Sequence, residues 1–379
     1  MAERVGVLFG GQSTEHKISC LSAYNIAQGL QDAGYEVALA GITLEGDWLT
    51  FDLPLAVLHA DDWAEQTRQA LAGRESRRFE PQAGFSPKET LYTLFDGPVD
   101  VIWPAVHGIN CEDGILQGFL EMTGIPYVGS RVLASSVGMD KIISKMFCEY
   151  AGIPVTPWLS AARTQIEEAA DLVRTGQAAP LLEEIASELG FPCFLKPANG
   201  GSSVGTFVVR NDSELLEQLL ACSEYDRVVL CETFVNAREL EVAVSGNETL
   251  TIAPVGEIVK SADIQYYDYK AKYFSADGST LAIPADVDPD IAAQLRAYAG
   301  EIYQLIGCEG MARVDFFVDK DSGSIYFNEI NTLPGFTSIS LYPVAMGQAL
   351  GSSSALMTRM IELSLDKKRL HRREEAVSI

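Results

Sequence analysis

Apolar positions along this chain recur in two different periods, and the changes of period divide it into elements. Arg4 to Phe9 is a short apolar run of strand length, broken by Gly10-Gly11. Ile18, Leu21, Ile26 and Leu30 follow at helical spacing as far as Gly34, and Glu36 to Ile42 is a second apolar run. Strand, helix, strand in that order predicts a parallel sheet. Residues 46–98 mix Pro, Gly and charge and read as helices and loops. Val99 to Val106 predicts a buried strand, Ile115 to Met122 a short helix, and Pro126 to Gly129 a strand that stops at glycine. Helical spacing resumes over Asp140–Gly152 and Leu181–Leu189. Cys193–Pro197 and Phe207–Arg210 then read as partners in a hairpin, followed by a helix over Ser213–Ala221 and a strand over Val228–Phe234. Further strands are predicted at Glu239–Ser245 and Ile252–Ile258, and helices at Ile291–Ile306 and Ser354–Leu365. Residues 261–277 form a long polar loop between strands, and the charged tail KKRLHRREEAVSI is expected to fray. No internal repeat or low-complexity segment appears.

The densest chemistry lies in MARVDFFVDK and SIYFNEINTLPG, which alternate apolar and polar residues as two strands do. Asp319 to Gly323 between them is a turn sequence. With Ser322 at the centre of the hairpin, Arg313 falls opposite Asn331 and Asp315 opposite Glu329. Residues two apart share a face, so the four side chains converge. Two carboxylates and an amide oxygen are hard ligands suited to Mg²⁺, and the Arg beside them suits an anion that forms during reaction. A structural ion-pair patch on a hairpin is the alternative.

Composition narrows the classes. With 379 residues the chain is too long for one small core, and two or three domains are expected. A net charge of -24 argues against a nucleic-acid or anionic-membrane surface, though not against a locally basic pocket for a nucleotide. No apolar run approaches a membrane span, and the N-terminal stretch lacks the layout of a secretory signal. The seven cysteines are odd in number and scattered, with no CxxC pair, which reads as reduced thiols in a cytoplasmic protein.

Five further features carry possible chemistry. Lys196 enters a glycine-rich loop, Ala198 to Gly205, from a strand; such backbone can wrap phosphate oxygens, but it is neither a Walker A loop nor GxGxxG before a helix. Taken alone, Gly-Gly-Ser-Ser is also an ordinary flexible turn. Glu232 and Glu239 flank a strand junction where a base edge and ribose hydroxyls could be met, or they are ordinary surface acids. Residues 266–273, YYDYKAKY, are dense in Tyr and Lys inside the long loop, as a lid over a site can be. His107 to Gly114 follows a buried strand at its carboxyl end, where parallel sheets bind ligands. Glu15, just past Gly10-Gly11, is either a helix cap or a carboxylate that holds an ammonium group.

The order of these motifs resembles the D-alanine–D-alanine ligase family of ATP-grasp enzymes. The matching pieces are GGxSxE at Gly10 to Glu15, HGxxxEDGxxQG at His107 to Gly118 and MDKxxSK at Met139 to Lys145. They continue with KPxxxGSSVG at Lys196 to Gly205, the YDYxAKY loop, the RVD strand, and NEINTxPGxTxxSL at Asn328 to Leu341. Together they span nearly the whole chain; each alone is weak, and the seven in one order are specific.

The resemblance implies an α/β, three-domain ATP-grasp architecture. An N-terminal parallel α/β domain (1–129) holds the first substrate. A central subdomain (130–231) carries the phosphate loop, a C-terminal one (232–379) carries the metal site and lid, and the last two sandwich ATP. It implies ATP-dependent joining of two D-alanine molecules through an acyl phosphate, for peptidoglycan synthesis, in a cytoplasmic homodimer. Lys141 and Lys196 resemble the phosphate lysines, and Glu232 and Glu239 the adenine and ribose contacts. Asp315, Glu329 and Asn331 resemble the ligands of two Mg²⁺ ions, with Mn²⁺ able to substitute. Arg313 and the Gly335 N–H resemble the oxyanion site. Glu15, Ser202 and Tyr273 resemble the network around the first D-alanine, with His107 near it. Lys272, Ser340 and Leu341 resemble the pocket of the second, and Lys272 also a nucleotide contact. Two positions depart: Cys111 stands where the family often has Gly, and Gly200 where some members carry Glu. The competing expectations are another ATP-grasp carboxylate–amine ligase, a D-lactate or D-serine variant, and a non-catalytic nucleotide-binding regulator. Tyr273 favours the dipeptide over the depsipeptide by resemblance, and the absence of GxGxxG makes a dinucleotide oxidoreductase the poorest option.

Overall fold

A computed structural model describes residues 3–72, 86–260 and 279–375. Three sheets follow one another along the chain. In the first, β1 (Arg4–Gly10), β2 (Glu36–Ile42), β3 (Trp48–Phe51) and β4 (Val101–Pro104) lie in the order β3-β2-β1-β4. β1 is parallel to β2 and β4, as the strand–helix–strand pattern predicts. Both faces of β1 are buried: Val5, Val7 and Phe9 enter one core and Leu8 another. That two-sided burial explains why the run is continuously apolar rather than alternating. β3 pairs antiparallel with β2 and lies within the stretch read from sequence as helices and loops.

The second sheet is antiparallel, with β5 (Trp158–Ala162), β6 (Cys193–Pro197), β7 (Phe207–Val209) and β8 (Val228–Thr233) in the order β5-β8-β6-β7. β6 and β7 form the expected hairpin across the glycine-rich loop. The third sheet has β9 (Ala237–Gly246), β10 (Leu250–Ile252), β11 (Gly256–Lys260), β12 (Ser279–Ala282), β13 (Gly310–Asp319) and β14 (Ile325–Asn331). Its order is β12-β11-β9-β13-β14, with β10 beside β9.

Several local expectations change. The single strand expected over Ile252–Ile258 is two, because Pro254 interrupts it without an N–H to donate. Pro126–Gly129 makes only a bridge from Tyr127 to Ile102, cut short by Pro126 and by Gly129 at φ 98°. Elements not foreseen include β5, β12 and the helices Val132–Met139, Arg163–Arg174 and Leu341–Leu350. The final helix, Ser353–Glu375, continues through most of the charged tail.

The largest core is not confined to one stretch of sequence. It joins Val7, Phe9, Ala23 and Ile26 to Leu341, Tyr342, Met357 and Met360. These last four belong to the final two helices, Leu341–Leu350 and Ser353–Glu375; the second packs beside the first helix, α1 (His16–Asp32), and the other packs on it and on the third sheet. Gly29 of α1 sits against Met357, where a β-carbon would lie 2.8 Å from its methyl group. The loop after β14 is thereby carried back to the first sheet.

Candidate active site

A cleft between the second and third sheets is lined by Lys141, Lys196, the loop Gly200–Val204, Glu239, Asp315 and Glu329. Lys196 reaches it from β6, its Nζ 2.5 Å from Glu232 and 3.1 Å from Asn328 Oδ1. Lys141 opens the helix Lys141–Tyr150, whose N-terminus is capped by the Asp140 carboxylate on the Ile142 and Ile143 N–H groups. Its Nζ donates to the Gly200 carbonyl at 2.6 Å and lies 3.1 Å from Glu329. The loop between them turns through left-handed backbone at Ser202 (φ 54°) and Ser203 (φ 57°), an uncommon conformation outside glycine.

Glu232 is 2% exposed and does not face the cleft openly. It accepts from Lys196, from Lys145 Nζ at 2.5 Å and from the Thr156 hydroxyl at 2.6 Å. Burial alone would raise its pKa, but the two ammonium groups pull it down to about 2. Lys145 is fully enclosed, and burial depresses it against the pull of Glu232. Lys145 lies one helical turn from Lys141, so the i, i+4 spacing could have marked it.

On the third sheet Arg313 lies opposite Asn331 and Asp315 opposite Glu329, as the hairpin reading predicts. Arg313 holds Asp315 through both ends of the carboxylate, at 2.7 and 2.6 Å. Glu241, not singled out from the sequence, sits on β9 directly across from Asp315, and its Oε2 is 3.2 Å from Arg313 Nε. Its signal was the period-2 alternation from Glu239. Burial, opposed by Arg313 and reinforced by Glu241 and Glu329, lifts Asp315 to about 7. Among the described residues, three carboxylates, Glu241, Asp315 and Glu329, thus face two cations, Arg313 and Lys141. Among the described residues no group of three His, Cys, Asp or Glu side chains converges tightly enough to hold an ion by itself. The donor set is nonetheless hard oxygen with surplus negative charge, which fits a divalent cation.

A second, adjoining cleft is lined by Glu15, Glu112, Ser202, Arg313, Glu329 and Asn331. Glu15 occupies the N-cap position of α1 but makes no side-chain cap. Its carboxylate instead receives the Ser202 hydroxyl at 2.5 Å across 187 residues of sequence. A side chain at Gly108 (φ 85°) would meet that carboxylate at 3.0 Å. Buried His107 lies 3.2 Å from Glu112 through Nδ1 and 3.1 Å from Ser22 Oγ through Nε2. Burial lowers its pKa, but the hydrogen bond and charge of Glu112, with Glu15 beyond, outweigh that and raise it. Glu112 is pushed up by burial and by Glu15. It too was missed as a site residue, although it stands inside the quoted motif.

Glu239 is exposed at the mouth of the first cleft. Asn331 Oδ1 accepts the Leu333 N–H at 2.9 Å and so braces the loop that follows. Ser340 receives the Thr337 N–H at 3.1 Å and precedes the helix Leu341–Leu350, while the Leu341 side chain is buried in the first core. Among the described residues the Gly335 N–H meets no hydrogen-bond acceptor. Lys272 and Tyr273, with the rest of the expected lid at 261–277, lie outside the described residues.

Known proteins are similar to this chain along nearly its whole length. The family model described as D-ala D-ala ligase N-terminus matches residues 4–130, and that described as D-ala D-ala ligase C-terminus matches 147–362. The D-alanine–D-alanine ligase of Acetivibrio thermocellus is 39% identical, with 96% of each chain covered. The D-alanine–D-alanine ligase A of Chromobacterium violaceum is 40% identical over 99% of this chain and 98% of its own. Among solved structures, the VanG D-Ala:D-Ser ligase of Enterococcus faecalis aligns with a TM-score of 0.78 at 32% identity, covering 96% of this chain and all of that one. The D-alanine–D-alanine ligase of Coxiella burnetii aligns at 0.76 and 28% identity, over 99% and 98%. The chain therefore belongs to the D-alanine–D-alanine ligase family, ATP-dependent ligases of the ATP-grasp fold.

Proposed function

We propose that this protein joins two D-alanine molecules at the expense of ATP, giving D-alanyl-D-alanine for peptidoglycan synthesis. The observation that carries this reading is the meeting of two clefts at Lys141, Ser202 and Glu329. One cleft has cations for phosphates, and the other has carboxylates for an ammonium group.

A carboxylate is a poor electrophile, and transfer of the γ-phosphoryl group to the first D-alanine makes an acyl phosphate from it. Glu15, held by Ser202, receives the ammonium of that D-alanine, with His107 beside it. Lys141 and Lys196 neutralise the phosphates, Glu239 meets the ribose and Glu232 the adenine side. Glu232 also fixes Lys196, which its buried ion pairs support. Asp315, Glu329 and Asn331 would hold Mg²⁺, which supplies charge neutralisation at the transferring group when bound. Asp315 is held at both oxygens by Arg313, so a bound cation would compete with the guanidinium for that carboxylate, while Glu241 stays beside Arg313. The amine of the second D-alanine then attacks. Arg313 and the Gly335 N–H stabilise the tetrahedral oxyanion, an effect of about 3 kcal/mol per donor. The second carboxylate is received by Ser340, by the helix N-terminus at Leu341 and by Lys272. Tyr273 joins Glu15 and Ser202 in the closed form of the loop at 261–277, which excludes water from the acyl phosphate.

The domain partition 1–129, 130–231 and 232–379 remains part of this reading, as do a homodimer and a cytoplasmic place of action. Soluble substrates and seven unpaired, buried cysteines support the last. Among the described residues no helix is long and apolar enough to cross a membrane. The test is ADP release and product mass with D-alanine, D-lactate, D-serine and L-amino acids, offered singly and in pairs. D-alanine-dependent ADP release with D-alanyl-D-alanine as main product is expected. No D-alanine-dependent turnover overturns the reading, and a D-alanyl-D-serine product moves it to the mixed-dipeptide class.

A further inference from the structure

Gly335 is an awkward place for a catalytic donor. Glycine has the freest backbone of any residue, so the direction of its N–H is set by what holds its neighbours. Here the neighbour is Phe336, and both of its backbone polar groups are captured by one face of α1. Ser22 Oγ accepts the Phe336 N–H at 3.1 Å, and Asn25 Nδ2 donates to the Phe336 carbonyl at 2.9 Å. Ser22 and Asn25 are three apart on the helix and therefore neighbours on its surface. Two successive peptide planes on the C-terminal side of Gly335 are thus fixed by side chains more than 300 residues away in sequence. The Phe336 ring is wedged between Trp103 and Tyr342, with centroids at 5.3 and 5.7 Å. Ser22 is fully buried, and the same hydroxyl meets His107 Nε2 at 3.1 Å. One oxygen atom is therefore shared between the first-substrate pocket and the loop that carries Gly335.

We propose that Ser22 and Asn25 are positioning residues that clamp the Phe336 peptide and thereby hold the Gly335 N–H at the oxyanion. The proposal rests on the reading of Gly335 as an oxyanion donor. Neither side chain touches the reacting atoms in this scheme; each acts through the loop. A displacement of the donor by about 1 Å is enough to cost on the order of a hundredfold in rate. The clamp also means that the first-substrate pocket and the oxyanion donor move together, because both hang on Ser22.

The test uses the full chain with Ser22→Ala, Asn25→Ala and Ser22→Thr, the last keeping a hydroxyl. Four quantities are read: kcat, KM for D-alanine, ADP affinity, and affinity for a dipeptide phosphinate that mimics the tetrahedral intermediate. Both alanine variants should lose about 10- to 100-fold in kcat and a matching factor in phosphinate affinity. ADP affinity should stay within about twofold, and Ser22→Thr should recover most of the loss. Where Ser22→Ala does not fold, Asn25→Ala at its half-buried position gives the same reading. The clamp is overturned if kcat and phosphinate affinity stay within twofold of the parent protein in the alanine variants, or if the loss falls equally on ADP affinity. Failure of the ligase reading is distinguishable, since it would show in the parent protein as no D-alanine-dependent ADP release.

Discussion

Two clusters of charge face each other across the cleft between the second and third sheets, and they are unbalanced in opposite senses. Beneath the glycine-rich loop, Lys145 and Lys196 share Glu232, leaving one positive charge over by formal count. On the third sheet, among the described residues, Glu241, Asp315 and Glu329 are met by Arg313 and Lys141, three negative charges to two positive by formal count. A charge kept out of water needs a partner, and by this count neither cluster is balanced within itself. The positive surplus suits phosphate oxygens and the negative surplus suits a divalent cation, so a metal-bound nucleotide satisfies both at once. The clusters also differ in kind. The first is enclosed, with Lys145 fully buried, and its members are locked by Thr156 and Asn328. The second lines open clefts and pairs its acids with Arg313 and Lys141, to which the proposed reaction gives other tasks.

Substitutions should separate the two clusters. The largest effect is expected for Glu329→Gln, which removes the charge of a proposed metal ligand from the patch. Activity should fall by about a thousandfold, since charge stabilisation by a bound metal is worth several kcal/mol. Circular dichroism should show the fold intact, and turnover like that of the parent protein would remove Glu329 from the metal site. Next comes Arg313→Ala, expected to cost on the order of 10² to 10³ in kcat with ADP affinity changed by less than about threefold. Loss of ADP affinity with kcat intact would make Arg313 a nucleotide contact instead.

Glu232→Gln tests the enclosed cluster through stability. It strands two ammonium groups in a buried setting and should cost roughly 3 kcal/mol in denaturant unfolding at neutral pH. The Glu232 pKa is depressed to about 2, so its contribution is present above the ordinary carboxylate range and is lost as pH falls toward 2. The gap between parent and variant should therefore close as unfolding is repeated from pH 5 downward. A gap that is constant with pH would show that the carboxylate's charge is not what stabilises the cluster. The smallest effect belongs to Glu239→Gln at the exposed mouth of the cleft. About 1 kcal/mol of ADP affinity should be lost by calorimetry, the value of one ordinary hydrogen bond. No change would remove Glu239 from the ribose contact.

How far these clusters could be read in the sequence depended on whether their geometry is local. The Arg313–Asn331 and Asp315–Glu329 pairs follow from strand alternation and a turn, and both are present. The register is right for a partly accidental reason. Phe316 pairs with Phe327, so Asn328 is bulged out, and the turn is centred half a residue earlier than supposed; the two errors cancel at the site. The bulged Asn328 is also what reaches Lys196. Glu241 and Lys145 carried signals at spacings of two and four, but a spacing states only which face a residue shares, not what stands opposite. Glu241 needed the β9–β13 pairing, and Lys145 needed the packing of its helix over Glu232. The unforeseen helix Val132–Met139 contains two serines and a glycine, poor helix formers, and is held by burial rather than propensity. The contact of Glu15 with Ser202 joins separate sheets, and no local pattern encodes it.

The sharing of one core between the two ends of the sequence bears on how the protein is made. Val7, Phe9 and Ile26 leave the ribosome early, yet the surface they bury is completed by Leu341, Met357 and Met360. Until those arrive, the part of this face that Phe51, Leu58 and Trp63 do not cover stays wet while more than 300 residues are translated. The antiparallel second sheet has its own core, Leu195, Leu215, Val229 and their neighbours, and can close as soon as β8 is complete. Synthesis should therefore finish the middle of the molecule before its beginning, and the nascent first unit is the part that most needs shielding from other chains.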